Sequence, residues 1–144
     1  MPKGTEHFIS DIHGEYEAFK HILNNASGVI KEKVRLVFTD YTKEQIDELC
    51  TLIYYPNECL LNKEKDGSTD LNSFYTKTIL DLIALSNYLS SKYSRSKVRK
   101  AIDGDFSYII DELMHAKSDD QNSRMAYHRS ILEAIIKTGS AKYF

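Results

Sequence analysis

Cysteine is scarce. Only Cys50 and Cys59 occur, nine residues apart, with no histidine pair to complete a zinc knuckle. They read as free, largely buried thiols, and the absence of a disulfide framework points to a reducing compartment. The first residues, Met1 to His7, contain no apolar h-region, and no stretch approaches the roughly 18 uninterrupted apolar residues of a membrane span. These absences argue for a cytoplasmic protein with no membrane partner. A marked excess of charge of one sign is also missing. The net charge is −2, which gives no basic field to draw in nucleic acid. Neither internal repeats nor low-complexity tracts appear, and no Ser-His-Asp or Cys-His constellation suggests covalent catalysis.

What is present is an ordinary globular composition, 42% hydrophobic and 28% charged, over 144 residues, enough for a real core. His7-Phe8-Ile9-Ser10-Asp11-Ile12 reads as a short buried strand that enters a turn at His13-Gly14. Tyr16, Phe19, Ile22, Leu23 and Ala26 then recur at helical spacing, with Gly28 as the stop. Val29, Ile30, Val34 and Val37 suit a second helix, although Val34 to Phe38 also fits a strand. Thr42 and Gln45 form a capping box for a helix burying Ile46, Leu49, Cys50 and Ile53, which Pro56 ends. A short helical piece is expected around Glu58 to Glu64.

Asp66-Gly67-Ser68 is a loop, and Thr69 is expected to cap a long helix striped by Leu71, Phe74, Tyr75, Thr78, Ile79, Leu82, Leu85 and Leu89. Ser94 caps a shorter helix with Val98 and Ile102 inward, broken at Asp103-Gly104. Phe106, Ile109, Ile110, Leu113 and Met114 mark another helix. The last, from Ser123 to Thr138, should bury Met125, His128, Ile131, Leu132, Ile135 and Ile136 and stop at Gly139. The fold class expected is mainly α, with one N-terminal strand. A lone strand has unpaired backbone groups, so a partner strand is missing or comes from association.

Asp11-Ile12-His13-Gly14 is the one stretch with a chemical signature. On an extended strand, side chains two apart share a side, so Asp11 and His13 could reach one ion beyond the strand's carboxyl end. Carboxylate plus imidazole suits Mn2+, Fe2+ or Zn2+ better than Ca2+. The same residues also fit an Asp capping the following helix beside an exposed His. His7 alternates in phase with Ile9 and Asp11. Lys92, Arg95, Lys97, Arg99 and Lys100 could meet a substrate or effector phosphate or a nucleic acid, or simply form a solvated face.

Phe8 to Tyr16 resembles the first motif of the calcineurin-like metallophosphoesterases, in which the Asp and His ligate one ion of a dinuclear site. Pro2 to His7, Glu17 to Asn25, Glu48 to Pro56 and Lys92 to Lys100 extend the likeness, in order along the chain, to the class 3 fructose-1,6-bisphosphatases. The resemblance implies a βα opening unit of a metallophosphoesterase α/β fold at 1–28 and a helical insertion at 29–144, packed as one compact unit. It implies Asp11 and His13 as metal ligands and a dinuclear divalent cofactor, with Mn2+ favoured.

The implied activity is hydrolysis of fructose 1,6-bisphosphate to fructose 6-phosphate and phosphate, a step of gluconeogenesis, and a homo-oligomer is compatible with it. The substrate comes from the likeness alone, because no residue here reads a fructose ring. Two motifs such enzymes carry, Gly-Asp-x-x-Asp-Arg-Gly and Gly-Asn-His-[Glu/Asp], do not occur. Gly104-Asp105 only begins like the former and reads as a turn before a helix. The expectation is therefore a piece truncated at both ends and inactive by itself. Two alternatives stay open: a piece of another calcineurin-like phosphoesterase, and a helical interaction module in which Asp11 and His13 are incidental.

Overall fold

The computed structural model describes residues 8–67, 70–102, 104–115 and 121–144, and the side chains of 121 and 124 are not among those described. The described residues form eight helices: α1 (Tyr16–Asn24), α2 (Val29–Val37), α3 (Lys43–Tyr54), α4 (Pro56–Asp66), α5 (Leu71–Ser90), α6 (Arg95–Ala101), α7 (Ser107–His115) and α8 (Gln121–Lys137). They fall into two compact units, Met1–Gly67 and Ser68–Phe144. None of the described helices is long and apolar enough to cross a membrane.

The N-terminal strand expected from the sequence is absent: no strand occurs among the described residues, and 8–12 carry no regular structure. A strand persists when its N–H and C=O groups find a ladder, and no described segment supplies one. The backbone also turns away from extension, with φ of 55° at Asp11 and 52° at His13. The apolar residues that suggested burial are open instead, Phe8 being 91% exposed. Among the described residues the fold is thus helical, without the strand of the expected βα opening.

In the first unit, the stretch open to two readings is resolved as helix, Val29–Val37. Its Val34 is fully buried, and Ile46, Leu49, Cys50 and Leu52 of α3 are buried as well. Leu52 takes the place expected for Ile53, which is half-buried. The capping box is present as read: Gln45 N donates to Thr42 Oγ1 at 3.3 Å, and Thr42 N donates to Gln45 Oε1 at 2.9 Å. Pro56 does more than end α3. It occupies the first turn of α4, where its missing N–H and fixed φ cost nothing, and α4 is accordingly longer than the Glu58 to Glu64 piece expected.

The second unit is built on Ile79 and Ile83 of α5, Leu113 of α7 and Leu132 of α8. Ile109, Ile110, Met114, Ile131 and Phe144 pack around them, and the Phe144 ring meets Phe106 edge-on at 5.3 Å. Each fully buried aliphatic side chain contributes about 1.5–3 kcal/mol. Thr69, the expected cap of α5, lies outside the described residues; Asp70 caps the helix, accepting from Asn72 N at 3.1 Å. On α8 the inward stripe starts later than expected. Met125 is 68% exposed, whereas Leu132 and Ile135 are buried. Gly139, at φ 70°, closes the helix as expected. Its N–H donates to Ile136 O and that of Ser140 to Ile135 O, the paired bonds of a Schellman stop.

Candidate metal-binding segment

The segment carrying Asp11 and His13 leads directly into α1. Glu15 N donates to Ile12 O at 3.0 Å, Tyr16 N to Gly14 O at 2.9 Å and Phe19 N to Glu15 O at 2.9 Å, so the motif turns tightly into the helix. Gly14 has φ 77°. A Cβ there would meet nothing within 4 Å, so the backbone angle, not crowding, favours glycine. Asp11 and His13 are both exposed. The alternative in which Asp11 caps the helix is not what the backbone shows, because the N-cap is Glu15 and no side chain bonds there.

Side chains two apart share a side only on extended backbone, and left-handed φ at both residues removes that premise. Their donor chemistry, one carboxylate and one imidazole open to solution, still fits a divalent cation. The set is short of three, however. Among the described residues, no group of three or more His, Cys, Asp or Glu side chains could hold an ion.

His7 lies outside the described residues. His21 is engaged elsewhere in the same unit: its Nδ1 lies 2.6 Å from the Tyr55 hydroxyl, and the two rings stack 12° from parallel. Asn24 Nδ2 donates to Tyr54 O at 2.7 Å. Sequence reading gave no sign of these contacts, since 30 or more residues separate the partners. Beside them lies a cavity of about 450 Å³ whose lining includes His21, Lys31, Arg35, Asp47, Cys50 and Tyr54. Lys31 is paired with Asp47 at 2.6 Å. Burial pushes the Cys50 thiol up, and burial with the Cys50 contact pushes Tyr54 up to about 12. Both stay protonated near neutrality, and a protonated thiol is a poor nucleophile.

In the second unit, the basic stretch is not a single open face. Arg95 reaches the buried Asp111 at 2.7 Å and Glu112 at 3.3 Å. Lys97 and Lys92 lie over the Tyr93 ring, at 4.5 and 5.3 Å from its centre. Gly104 and Asp105 form the turn ahead of α7, as read from the sequence.

A family model described as Firmicute fructose-1,6-bisphosphatase matches residues 1–144. Curated relatives named fructose-1,6-bisphosphatase class 3 include one from Oceanobacillus iheyensis, 47% identical over 144 residues, covering 98% of this chain and 22% of that protein. One from Listeria monocytogenes is 46% identical over 145 residues. One from Phocaeicola vulgatus is 50% identical over 145 residues, and each of these two matches covers 100% of this chain and 22% of the relative. The chain thus spans about a fifth of the length of the relatives it matches. No solved structure matches.

Proposed function

This chain belongs to the Firmicute fructose-1,6-bisphosphatase family, and from that we propose that it serves the metal-dependent hydrolysis of fructose 1,6-bisphosphate to fructose 6-phosphate and phosphate, a gluconeogenic step. The observation that carries the reading is the match along the whole chain to a family named for that activity, with relatives bearing the same name.

Asp11 and His13 are the ligands this chain contributes, both to one ion of a dinuclear pair, and Mn2+ is the first choice for a carboxylate and an imidazole together. When bound, a divalent ion supplies charge that neutralises phosphoryl oxygens and acidifies a water. The chain's own part is to hold the carboxylate and imidazole at the solvent-facing turn before α1. Covalent catalysis is not invoked, because the Cys50 thiol is buried and held protonated. By motif order, residues 1–28 belong to the phosphatase core and 29–144 to a helical insertion. Two free thiols fit a cytoplasmic setting, and a net charge of −2 fits a small phosphorylated sugar better than nucleic acid.

Two ligands are fewer than the three that usually hold a catalytic ion, so the 144-residue chain by itself should bind metal weakly and show no turnover. Calorimetric Mn2+ titration of the chain against Asp11→Ala and His13→Ala tests this. Each substitution should weaken binding about tenfold or more, at least what losing an outer-shell partner costs. Affinity indifferent to both substitutions would remove the ligand assignment. Robust metal-dependent phosphate release by the isolated chain would contradict the incomplete site.

A further inference from the structure

Helix α1 carries the turn with Asp11 and His13, yet it buries none of its side chains. Tyr16 is 64% exposed and Leu23 is exposed too, so of the apolar stripe within the helix only Phe19 is half-buried. Nine residues are also too few to hold a helix in water by propensity alone. Specific contacts hold α1 at its C-terminal end. His21 Nδ1 meets the Tyr55 hydroxyl at 2.6 Å, its ring stacks on Tyr55, and the Tyr54 ring stands edge-on to it at 5.9 Å. Asn24 Nδ2 donates to Tyr54 O at 2.7 Å. Tyr54 is the last residue of α3, where carbonyls lack an intrahelical partner, so this bond also satisfies α3.

We infer that His21 and Asn24 are positioning residues, a latch that holds α1 on the C-terminal end of α3 and thereby places the turn bearing Asp11 and His13. The coupling runs through the bonds Glu15 N to Ile12 O, Tyr16 N to Gly14 O and Phe19 N to Glu15 O, which tie the turn to the first residues of α1. This role rests on Asp11 and His13 being metal ligands. It assigns a function to Tyr54 and Tyr55 as well.

The test is amide hydrogen exchange of the metal-free chain, paired with Mn2+ titration followed by water-proton relaxation. Tyr55→Phe, which keeps the ring, Asn24→Ala and His21→Ala should each accelerate exchange in 16–24 while leaving 43–54 unchanged. Each should also raise the Mn2+ dissociation constant about threefold to tenfold, the scale of one hydrogen bond. His21→Asn, whose amide can meet the Tyr55 hydroxyl, should recover most of both. Unchanged exchange in 16–24, or unchanged Mn2+ affinity despite faster exchange, would overturn the latch. Asp11→Ala separates the two levels. If it leaves Mn2+ affinity intact, the ligand reading falls and the positioning role with it. If it weakens binding while the latch variants do not, the latch alone falls.

Discussion

The Arg95 guanidinium meets the carboxylate of Asp111 at 2.7 Å, joining α6 to α7, and Asp111 is only 2% exposed. Asp111 Oδ1 also lies 3.1 Å from His115 Nδ1, one turn further along α7. A carboxylate this buried is tolerable because its partners surround it, and Arg95 holds its pKa below the usual carboxylate value.

Asp111→Asn should therefore destabilise the second unit by about 1–3 kcal/mol, the cost of weakening a buried charge-assisted hydrogen bond. Urea unfolding followed by far-UV circular dichroism measures it. A change within a few tenths of a kcal/mol would mean that the pair contributes nothing net.

The same pair predicts a pH dependence with a definite sign. Because the folded Asp111 pKa lies below its ordinary value of 3.8, the unfolded chain takes up the proton first. The stabilisation is thus fully present above about pH 4 and is lost as pH falls through the lower, folded value. The difference in urea midpoint between wild type and Asp111→Asn should shrink as pH falls from about 5 toward 3. A difference that grows over that range would contradict the assignment.

Leu132 and Leu113 lie at the centre of the second core. Leu132→Ala should cost about 2–5 kcal/mol, transfer and cavity terms together. Calorimetric melting reads it, and a loss under 1 kcal/mol would show that the core collapses around the gap.

Thr42→Ala should cost the first unit about 0.5–2 kcal/mol, because it removes the acceptor for Gln45 N. Amide exchange at Gln45 should accelerate more than exchange at Leu49. Equal acceleration at both would indicate a global rather than a capping effect.

The features legible in the sequence are those written by neighbouring residues. Thr42 and Gln45 formed their box and Gly139 its helix stop because each depends on atoms within a few positions. The cap of α5 was missed by one residue: Thr69 and Asp70 both suit the role, and only geometry chooses. Long-range pairings left no trace. Arg95 reads in the sequence as one of five cations in a basic stretch, and nothing there pairs it with Asp111, though each solves the other's electrostatics. Likewise, nothing near His21 announced Tyr55. The strand expected at 7–12 is not seen over the described 8–12 for a related reason: an apolar run specifies a strand only together with a ladder partner. Without one, Asp11 and His13 adopt left-handed angles, and alternation no longer places their side chains on one face.

Replacing the matching stretch of the Oceanobacillus iheyensis relative with these 144 residues, then measuring phosphate released from fructose 1,6-bisphosphate, tests most directly whether Asp11 serves metal-dependent hydrolysis. The hybrid should turn over, and Asp11→Ala within it should lower the rate about a thousandfold, since an ion supplies several kcal/mol of transition-state stabilisation. A hybrid equally active with and without the Asp11 carboxylate would contradict the assignment.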